Sequence, residues 1–389
     1  MRSILLAING IGLGHASRCL RLASRIDAGY AIYIATYGDA YRYLSSIGLG
    51  RRYVLVRDAE ISFCWGEAGL AVGRTIASLL LRHSMTFAGH VASSAALLKA
   101  IRPEVVISDS RLAPLVAARL FADDTPTVLI TNQLVSYVEG APLQDRINRA
   151  LSGLSPRAWG LSDEIIVADL PPPYTISLRN IYPAMRVVGG KSRFIGLLDD
   201  LGRYGEASPG GEGLYIAISG PRPDRGIFFK MVIPCLKDLG RMWPVKVSLG
   251  DPSMGETLLY RRRAGRGYIE IYGWVRDRLL ETRKARVLVL RGGQTSILEA
   301  IMMLKPMVVV PAEGQTEQEG NAESVARLGI GEYVRSCELA REPRLLVEAV
   351  ARIFEDYDRY VRRLAAVRRV LVGCGGLRAA EEIIKKYLS

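Results

Sequence analysis

The chain has 389 residues, of which 49% are hydrophobic and 23% charged, a globular composition that excludes a largely disordered chain. Its formal net charge of +13 suits anionic partners such as phosphorylated substrates or an acidic membrane surface, and no helix-turn-helix or aromatic RNA-binding signature favours nucleic acid. The five cysteines and three histidines form no C-x-x-C pair or metal-ligand cluster, so we predict neither a zinc site nor disulfides.

The length exceeds what one hydrophobic core usually serves, so we expect two domains. No stretch reaches the roughly 18 uncharged apolar residues that a membrane-spanning helix needs. Residues 1–6 are typical of a first strand rather than of a signal peptide, which predicts a cytoplasmic protein. Asparagine and glutamine are scarce, and this scarcity of heat-labile amides hints at a thermophile.

Short β-branched runs alternate with longer helical patterns along the chain, which predicts βα units around parallel sheets. The first series of predicted strands is Ile4–Ile8, Ala31–Ala35, Tyr53–Val56, Val105–Ser108, Val128–Thr131 and Ile165–Ala168. The second series is Leu214–Ser219, Val245–Leu249, Tyr268–Tyr272, Val287–Leu290 and Met307–Val310.

A polar, glycine-rich segment without apolar periodicity separates the two series and predicts a linker at residues 199–212. We therefore expect an N-terminal domain at 1–198, a C-terminal domain at 213–355 and a helical tail at 356–389. The predicted fold class is α/β, with two Rossmann-like parallel-sheet domains that face a cleft.

A first glycine loop follows the first strand, with Gly10, Gly12 and Gly14 at alternate positions before His15 and a helix. Glycines let the backbone approach a ligand closely, and the helix N-terminus favours an anion. The spacing is not that of a dinucleotide fold, and Ala35-Thr36-Tyr37 stands at the end of the second strand in place of an acidic residue that could bind a ribose, so a nicotinamide enzyme is disfavoured. The loop alone leaves two roles for His15 open: a base for an acceptor hydroxyl, or a residue that only caps or packs against the loop.

A second glycine loop, Gly292-Gly293, lies between a predicted strand and a helix that carries Thr295 and Glu299. This arrangement suits a diphosphate at the helix N-terminus and a ribose diol on the carboxylate. Taken alone, Glu299 is as well explained as an acid that complements the helix dipole. The polar run at 313–322 then opens another helix at the end of a strand, which is a favourable place for ligand contact.

The run 291–322 resembles the donor-binding motif of glycosyltransferase family 28, a GT-B family that includes the N-acetylglucosaminyltransferase that makes lipid II. The matching residues are Gly292, Gly293, Glu299, Lys305, Pro306, Pro311, Gln318, Asn321 and Ala322. The sequence departs from the family at Leu304, where glycine is usual, and at Glu317, where histidine or glutamine is common. Gly14-His15 and the segments around Asp109, Asn132 and Gln133 are similar to an uncharacterised archaeal and bacterial branch.

The resemblance implies roles for individual residues, which are expectations at this point. His15 would be the base, Glu299 would bind the ribose, and Glu317 with Gln318 would hold the donor sugar. The implied diphosphate and base contacts are Gly292, Gly293, Thr295, Ser219, Gly220, Arg222, Trp274 and Val275, and the acceptor-side residues are Asp109, Asn132 and Gln133. No Asp-x-Asp motif stands in a fitting place, so the resemblance implies metal-free catalysis without a cofactor, with helix dipoles and arginine stabilising the leaving diphosphate.

Other functions fit parts of the pattern. A nucleotide-sugar hydrolase would use the same scaffold with water as acceptor, and no sequence feature separates it from a transferase. A sugar 2-epimerase needs several catalytic carboxylates that the sequence does not place, and a nucleic-acid-binding module would not explain the paired glycine loops. The basic and apolar segment Leu70–Ile101 suits a bilayer interface, and hence a lipid-linked acceptor, but equally suits packing on the N-terminal sheet.

Overall fold

The computed structural model describes residues 2–58, 72–137, 144–207, 209–220 and 222–388, with the side chains of all of these except residues 72–86, 144, 151 and 222. Two seven-stranded sheets organise this part of the chain, and helices flank both. Within the described residues, no helix is both long and apolar enough to cross a bilayer.

The N-terminal sheet is entirely parallel, with strand order β3-β2-β1-β4-β5-β6-β7. Its strands are β1 (Arg2–Ile8), β2 (Tyr30–Thr36), β3 (Tyr53–Arg57), β4 (Val105–Asp109), β5 (Thr127–Thr131), β6 (Glu164–Val167) and β7 (Ser192–Phe194). Its helices are α1 (Gly14–Arg25), α2 (Gly38–Ser46), α3 (Val72–Ile101), α4 (Ala113–Phe121), α5 (Gln144–Trp159), α6 (Leu178–Ile181) and α7 (Met185–Val188). The central strands β1, β4 and β5 are buried along most of their length, as expected where helices cover both faces of a parallel sheet.

The C-terminal sheet has the order β10-β11-β9-β8-β12-β13-β14 and is parallel except for β10, which runs antiparallel to β11. Its strands are β8 (Leu214–Ala217), β9 (Val245–Ser248), β10 (Leu258–Ala264), β11 (Gly267–Tyr272), β12 (Val287–Leu290), β13 (Met307–Val309) and β14 (Gly331–Tyr333). Its helices are α8 (Arg222–Met242), α9 (Arg278–Lys284), α10 (Gln294–Met302), α11 (Thr316–Leu328), α12 (Ser336–Arg341), α13 (Arg344–Glu355), α14 (Tyr357–Gly373) and α15 (Gly376–Lys385).

The expectation of two parallel-sheet α/β domains is confirmed, and every predicted strand is present with bounds shifted by at most two residues.

The last two helices, α14 and α15, pack against different domains. Helix α14 packs Leu364 and Leu371 into the core beneath the second sheet, whereas α15 returns to the first domain, where Ala380 and Ile384 join its core. The domain boundaries themselves stay a prediction.

The segment predicted as a linker begins as a tightly held connection. Asp199 is buried, and its carboxylate accepts hydrogen bonds from Tyr204 at 2.8 Å and pairs with Arg21 of α1 at 2.8 Å. Farther on, Lys305 Nζ donates to the Gly210 carbonyl at 2.6 Å. Burial, with help from nearby arginines, lowers the pKa of Lys305 to about 8. The lysine of the motif therefore holds the segment predicted as a linker.

Candidate active site

A histidine–aspartate pair lies at the carboxyl edge of the N-terminal sheet. His15 is on the first turn of α1, and Asp109 is the last residue of β4. Nδ1 of His15 lies 2.9 Å from Oδ1 of Asp109, and the histidine side chain keeps 24% exposure while the aspartate is fully buried. An ionised carboxylate only accepts hydrogen bonds, so the contact with Asp109 is a hydrogen bond in the tautomer that carries its proton on Nδ1 and leaves Nε2 basic. Nη2 of Arg18 lies 3.1 Å from the same nitrogen and can donate to it only in the other tautomer.

Arg18 neutralises the carboxylate of this pair. Its Nε donates to Asp109 Oδ2 at 2.7 Å and its Nη2 to Oδ1 at 2.5 Å, and the Cys19 thiol donates to Oδ2 at 3.0 Å. Burial alone would raise the pKa of Asp109, but the charges of Arg18 and His15 outweigh it and hold that pKa well below its usual range. Asp109 is therefore held as an anion near neutral pH, and its contact with Nδ1 orients the His15 ring.

The first glycine loop depends on its glycines for two different reasons. An added Cβ at Gly10 would lie 2.3 Å from the carbonyl oxygen of Tyr37, so only glycine fits there, and Gly12 adopts a φ of +68°. The side chain of Asn9 braces the loop by accepting from the Ile11 amide and the Tyr37 hydroxyl, both at 3.1 Å. An added Cβ at Gly14 would meet nothing within 4 Å, so the packing leaves open space beside His15.

The second glycine loop presents an uncapped helix end. Gly292 has a φ of +94°, and its carbonyl accepts a hydrogen bond from Asn321 at 2.9 Å. Gly293 is the N-cap residue of α10, and no side chain caps the helix there. The first amides of α10, including that of half-buried Thr295, therefore remain available to an anion.

A buried ion pair joins this loop to the predicted second phosphate loop. Arg291 precedes Gly292, is 1% exposed, and donates from Nε to both carboxylate oxygens of Asp224 in α8 at 3.1 Å. Asp224 lies directly under the other loop, because an added Cβ at Gly220 would approach its Oδ2 to 2.6 Å. Ser219 is half-buried in that loop, and the side chain of Arg222 lies outside the described part of the chain.

Glu299 already has a partner on the protein. Its carboxylate makes two contacts with Arg278 of α9, at 2.8 Å from Nη2 and 2.6 Å from Nη1. The charge of Glu299 raises the pKa of the guanidinium. Trp274 and Val275, the predicted base-binding residues, follow β11 and precede α9, which places them on the same side of the sheet as this pair.

The two domains meet at the predicted sugar-binding residues. Asn132 Nδ2 donates to Glu317 Oε1 at 2.6 Å, which joins a predicted acceptor-side residue to a predicted donor-side residue. The charge of Glu317 also acts on Arg18 and contributes to its raised pKa. The pair at His15 and the start of α11 therefore face one cleft. Further interdomain hydrogen bonds run from Gln294 to the Ala168 carbonyl, from Ser177 to Asn321, and from Arg327 to the carbonyls of Pro173 and Thr175.

Two predicted residues have local partners. Gln318 Oε1 accepts from the Ala312 amide at 2.9 Å, and this contact fixes the loop before α11 and leaves the side-chain NH2 group as its remaining polar group. Gln133 donates to the Ser136 hydroxyl at 2.9 Å at the cleft edge of the first domain. Within the described ranges, no group of three or more histidine, cysteine or acidic side chains is placed to hold a metal ion.

Sequence reasoning missed four residues of this region: Arg18, Arg278, Asp224 and Arg291. Arg18 had a usable signal, because it lies three residues after His15 and so on the same helix face. Arg278 and Glu299 are 21 residues apart, and Asp224 and Arg291 are 67 apart, so only the fold reveals these pairs.

Comparison with known proteins gives this geometry a family context. Residues 262–369 match the model of the glycosyltransferase family 28 C-terminal domain. An uncharacterised glycosyltransferase of Methanosarcina acetivorans is 25% identical over 99% of this chain and 98% of its own length.

Solved structures show the same architecture. The glycosyltransferase of kitacinnamycin superposes with a TM-score of 0.66 at 20% identity, over 100% of this chain and 99% of its own. The spinosyn rhamnosyltransferase SpnG complexed with thymidine diphosphate has a TM-score of 0.59 at 14% identity, over 99% of this chain and 100% of its own. The expected resemblance is confirmed: the chain is a glycosyltransferase with the GT-B fold, and its second domain carries the family 28 C-terminal domain.

Proposed function

We propose that this enzyme transfers a sugar, with inversion and without a metal ion, from a nucleotide diphosphate to an acceptor hydroxyl at His15. The observation that carries the proposal is the His15–Asp109 pair, which faces the start of α11 across the cleft. The acceptor gives its proton to Nε2 of His15 while its oxygen attacks the anomeric carbon from the face opposite the leaving group. The bond to the diphosphate breaks in the same step, which inverts the anomeric centre.

The leaving diphosphate lies at the N-terminus of α10 in this proposal. The uncapped amides and the positive end of the helix dipole stabilise the charge that develops there. Gly292 and Gly293 let the phosphates approach the backbone, and the loop at Ser219 and Gly220 with Arg222 completes the site. The bound thymidine diphosphate of the similar rhamnosyltransferase supports a nucleotide diphosphate as the ligand class.

The nucleoside occupies the region between β11 and α10. Glu299 accepts the ribose hydroxyls, because each carboxylate oxygen retains a lone pair beyond its contact with Arg278. Trp274 and Val275 hold the base, and the resemblance to family 28 favours uracil. Glu317 and Gln318 hold the donor sugar, with Asn132 and Gln133 on the acceptor side.

A lipid-linked acceptor at an anionic cytoplasmic membrane face would suit the net charge of +13. The segment Leu70–Ile101 suits either contact with this surface or packing on the N-terminal sheet. Residues 70–71 and the side chains of 72–86 lie outside the described part, whereas the end of α3 packs on the sheet through Leu98. Flotation of the protein with anionic vesicles tests this part of the proposal. If the protein does not float with the vesicles at low salt, membrane contact is refuted.

The experiment that tests the function follows labelled sugar. The protein is incubated with a panel of radiolabelled nucleotide sugars, with and without a lipid extract, and with EDTA in parallel. Transfer of label to the extract, lost in His15→Ala and unaffected by EDTA, supports a metal-independent transferase. Label released as free sugar even in the presence of the extract would favour a hydrolase, in which water takes the place of the acceptor. No turnover of any nucleotide sugar would overturn both.

A further inference from the structure

The hairpin of β10 and β11, residues 258–272, stands out from the C-terminal domain. Every residue from 252 to 263 is exposed, and six of them belong to β10, whose pairing with β11 is irregular between Leu258 and Tyr260. β10 is the edge strand of this sheet and pairs with β11, so the backbone groups on its outer side have no strand partner among the described residues. A long exposed edge is a liability for pairing with other chains, and proteins normally shorten or cover such strands.

The composition of this edge is both apolar and cationic. Leu258, Leu259 and Tyr260 are exposed by 42%, 45% and 42%. Three arginines follow at once. Arg261 pairs with Glu270 at 3.3 Å yet stays 68% exposed, whereas Arg262 and Arg263 have no ion-pair partner among the described residues.

Neighbouring residues extend the same chemistry. Met254, at 40% exposure, precedes the strand, and Tyr268, at 39%, lies opposite Arg263 on β11. Arg266 at the hairpin turn is also exposed. Glu270, Glu256 and Asp251 are acidic side chains beside these residues, against the cationic Arg261, Arg262, Arg263 and Arg266, so the surface keeps an excess of positive charge.

The hairpin also lies away from the interdomain contacts. Those contacts are made by helices that follow β12 and β13, at the other side of the sheet from β10. The N-terminal domain therefore does not cover it. The apolar end of β10 pairs with Tyr272 at the carboxyl end of β11, on the edge of the sheet where the predicted base site begins at Trp274.

We propose that this hairpin docks on an anionic lipid bilayer. The leucine and tyrosine side chains insert at the level of the headgroups, and the arginines contact lipid phosphates while their aliphatic stems cover apolar surface. Charge complementarity selects a bilayer over a second copy of this chain, because antiparallel pairing of two β10 strands would place six arginines along one seam. This docking rests on the proposed function, because a docked hairpin would hold the cleft near a lipid-linked acceptor.

Vesicle co-sedimentation with the full chain tests the proposal. The wild type is expected to bind vesicles that contain phosphatidylglycerol, to bind pure phosphatidylcholine vesicles weakly, and to be released by added salt. The variant R261Q/R262Q/R263Q should lower the partition coefficient by about a hundredfold, from the usual contribution of each arginine near such a surface. Leu258→Ser with Leu259→Ser should lower it by about tenfold or more through lost apolar insertion.

The matched control is R362Q/R363Q/R369Q, which removes the same charge from exposed positions on α14. This variant should keep most of the binding. Equal losses in both triple variants would mean that diffuse charge binds the vesicles and would overturn the proposal. Undiminished binding of the hairpin variant would also overturn it, and would leave the arginines as residues that only protect the edge from aggregation.

Calorimetry with uridine diphosphate on the same preparations separates this proposal from the proposed function. If the protein binds the nucleotide normally but does not bind vesicles, only the proposal of a docking surface is refuted. If the wild type does not bind the nucleotide, the proposed donor site is refuted instead, and the vesicle result still decides whether the hairpin docks on a bilayer.

Discussion

The two glycine loops of the molecule differ in whether the polar groups beside them already have hydrogen-bond partners on the protein. Beside the first loop, Asp109 is buried, and its carboxylate accepts hydrogen bonds from Arg18, Cys19 and Ser110. At the second loop, α10 begins without a side-chain cap and leaves amides open. A base must be held in one tautomer before the reaction, whereas an anion site must keep its donors free until the ligand arrives. The comparison predicts that substitutions at the first loop change turnover and stability, and that substitutions at the second change nucleotide affinity.

The largest expected effect is that of His15→Ala on turnover. Loss of a positioned base should lower kcat by ~10²–10⁴ while nucleotide affinity stays near wild type. Single-turnover kinetics with the active nucleotide sugar measure the first quantity, and calorimetry with the nucleotide diphosphate measures the second. A variant that retains wild-type turnover would make the histidine a structural residue of the loop.

Asp109→Asn should strongly destabilise the first domain as well as slow the reaction. It leaves Arg18 charged, buried and without its carboxylate, which typically costs about 3–5 kcal/mol in the free energy of unfolding. Denaturant unfolding measures this cost, with Asp124→Asn, an exposed aspartate, as the matched control. Equal stability of the two variants would contradict the buried ion pair.

The same pair predicts a pH dependence. The folded-state pKa of Asp109 is depressed, so its stabilisation is fully present above the unfolded value of about 3.9 and is lost as the pH falls below it. The stability difference between wild type and Asp109→Asn should therefore be constant near neutral pH and shrink in acid. A difference that grows in acid would have the wrong sign for a carboxylate stabilised as the anion.

The features that could be predicted from the sequence are those with a local pattern, and the features that could not depend on contacts between distant residues. Buried parallel strands read as short β-branched runs, so the sheets and the motif at Gly292 were predictable. β10 was missed because Arg261, Arg262 and Arg263 interrupt any apolar run, and the return of α15 to the first domain has no local signal. Asp109 was found as an acceptor-side residue, but its contact with His15 spans 94 positions and depends on sheet order.

Arg291→Met tests whether the second loop also depends on a buried charge pair. Asp224 would remain buried without its partner, with an expected cost of about 3–5 kcal/mol in the free energy of unfolding. The two proposed phosphate loops, at Gly220 and at Gly292, should lose their spacing, so nucleotide affinity should fall in the fraction that stays folded. Arg276→Met, at a side chain that is 86% exposed, is the control and should match wild type in both measurements.

Glu299→Ala should weaken uridine diphosphate binding by about 1.5–3 kcal/mol, the usual contribution of a hydrogen bond to a charged group. The substitution also frees Arg278, so the unfolding midpoint should be recorded alongside the calorimetry. Glu348→Ala, an exposed acid on α13, is the matched control and should leave the affinity unchanged. If Glu299→Ala binds uridine diphosphate as tightly as the wild type, this carboxylate does not contact the nucleotide.

The smallest change to the fold should come from Gly293→Ala, which makes it the sharpest probe of the diphosphate. Gly293 has a φ of −62°, and an added Cβ would meet no protein atom within 4 Å, so stability should stay within about 0.5 kcal/mol of wild type. If phosphate lies against the first amides of α10, the new methyl group occupies its place and affinity for the nucleotide diphosphate falls. Gly14→Ala has the same open surroundings at the other loop and should leave that affinity unchanged. Equal affinities in all three proteins would mean that the open amides of α10 are not where the diphosphate lies, and the contrast between the two loops would lose its functional meaning.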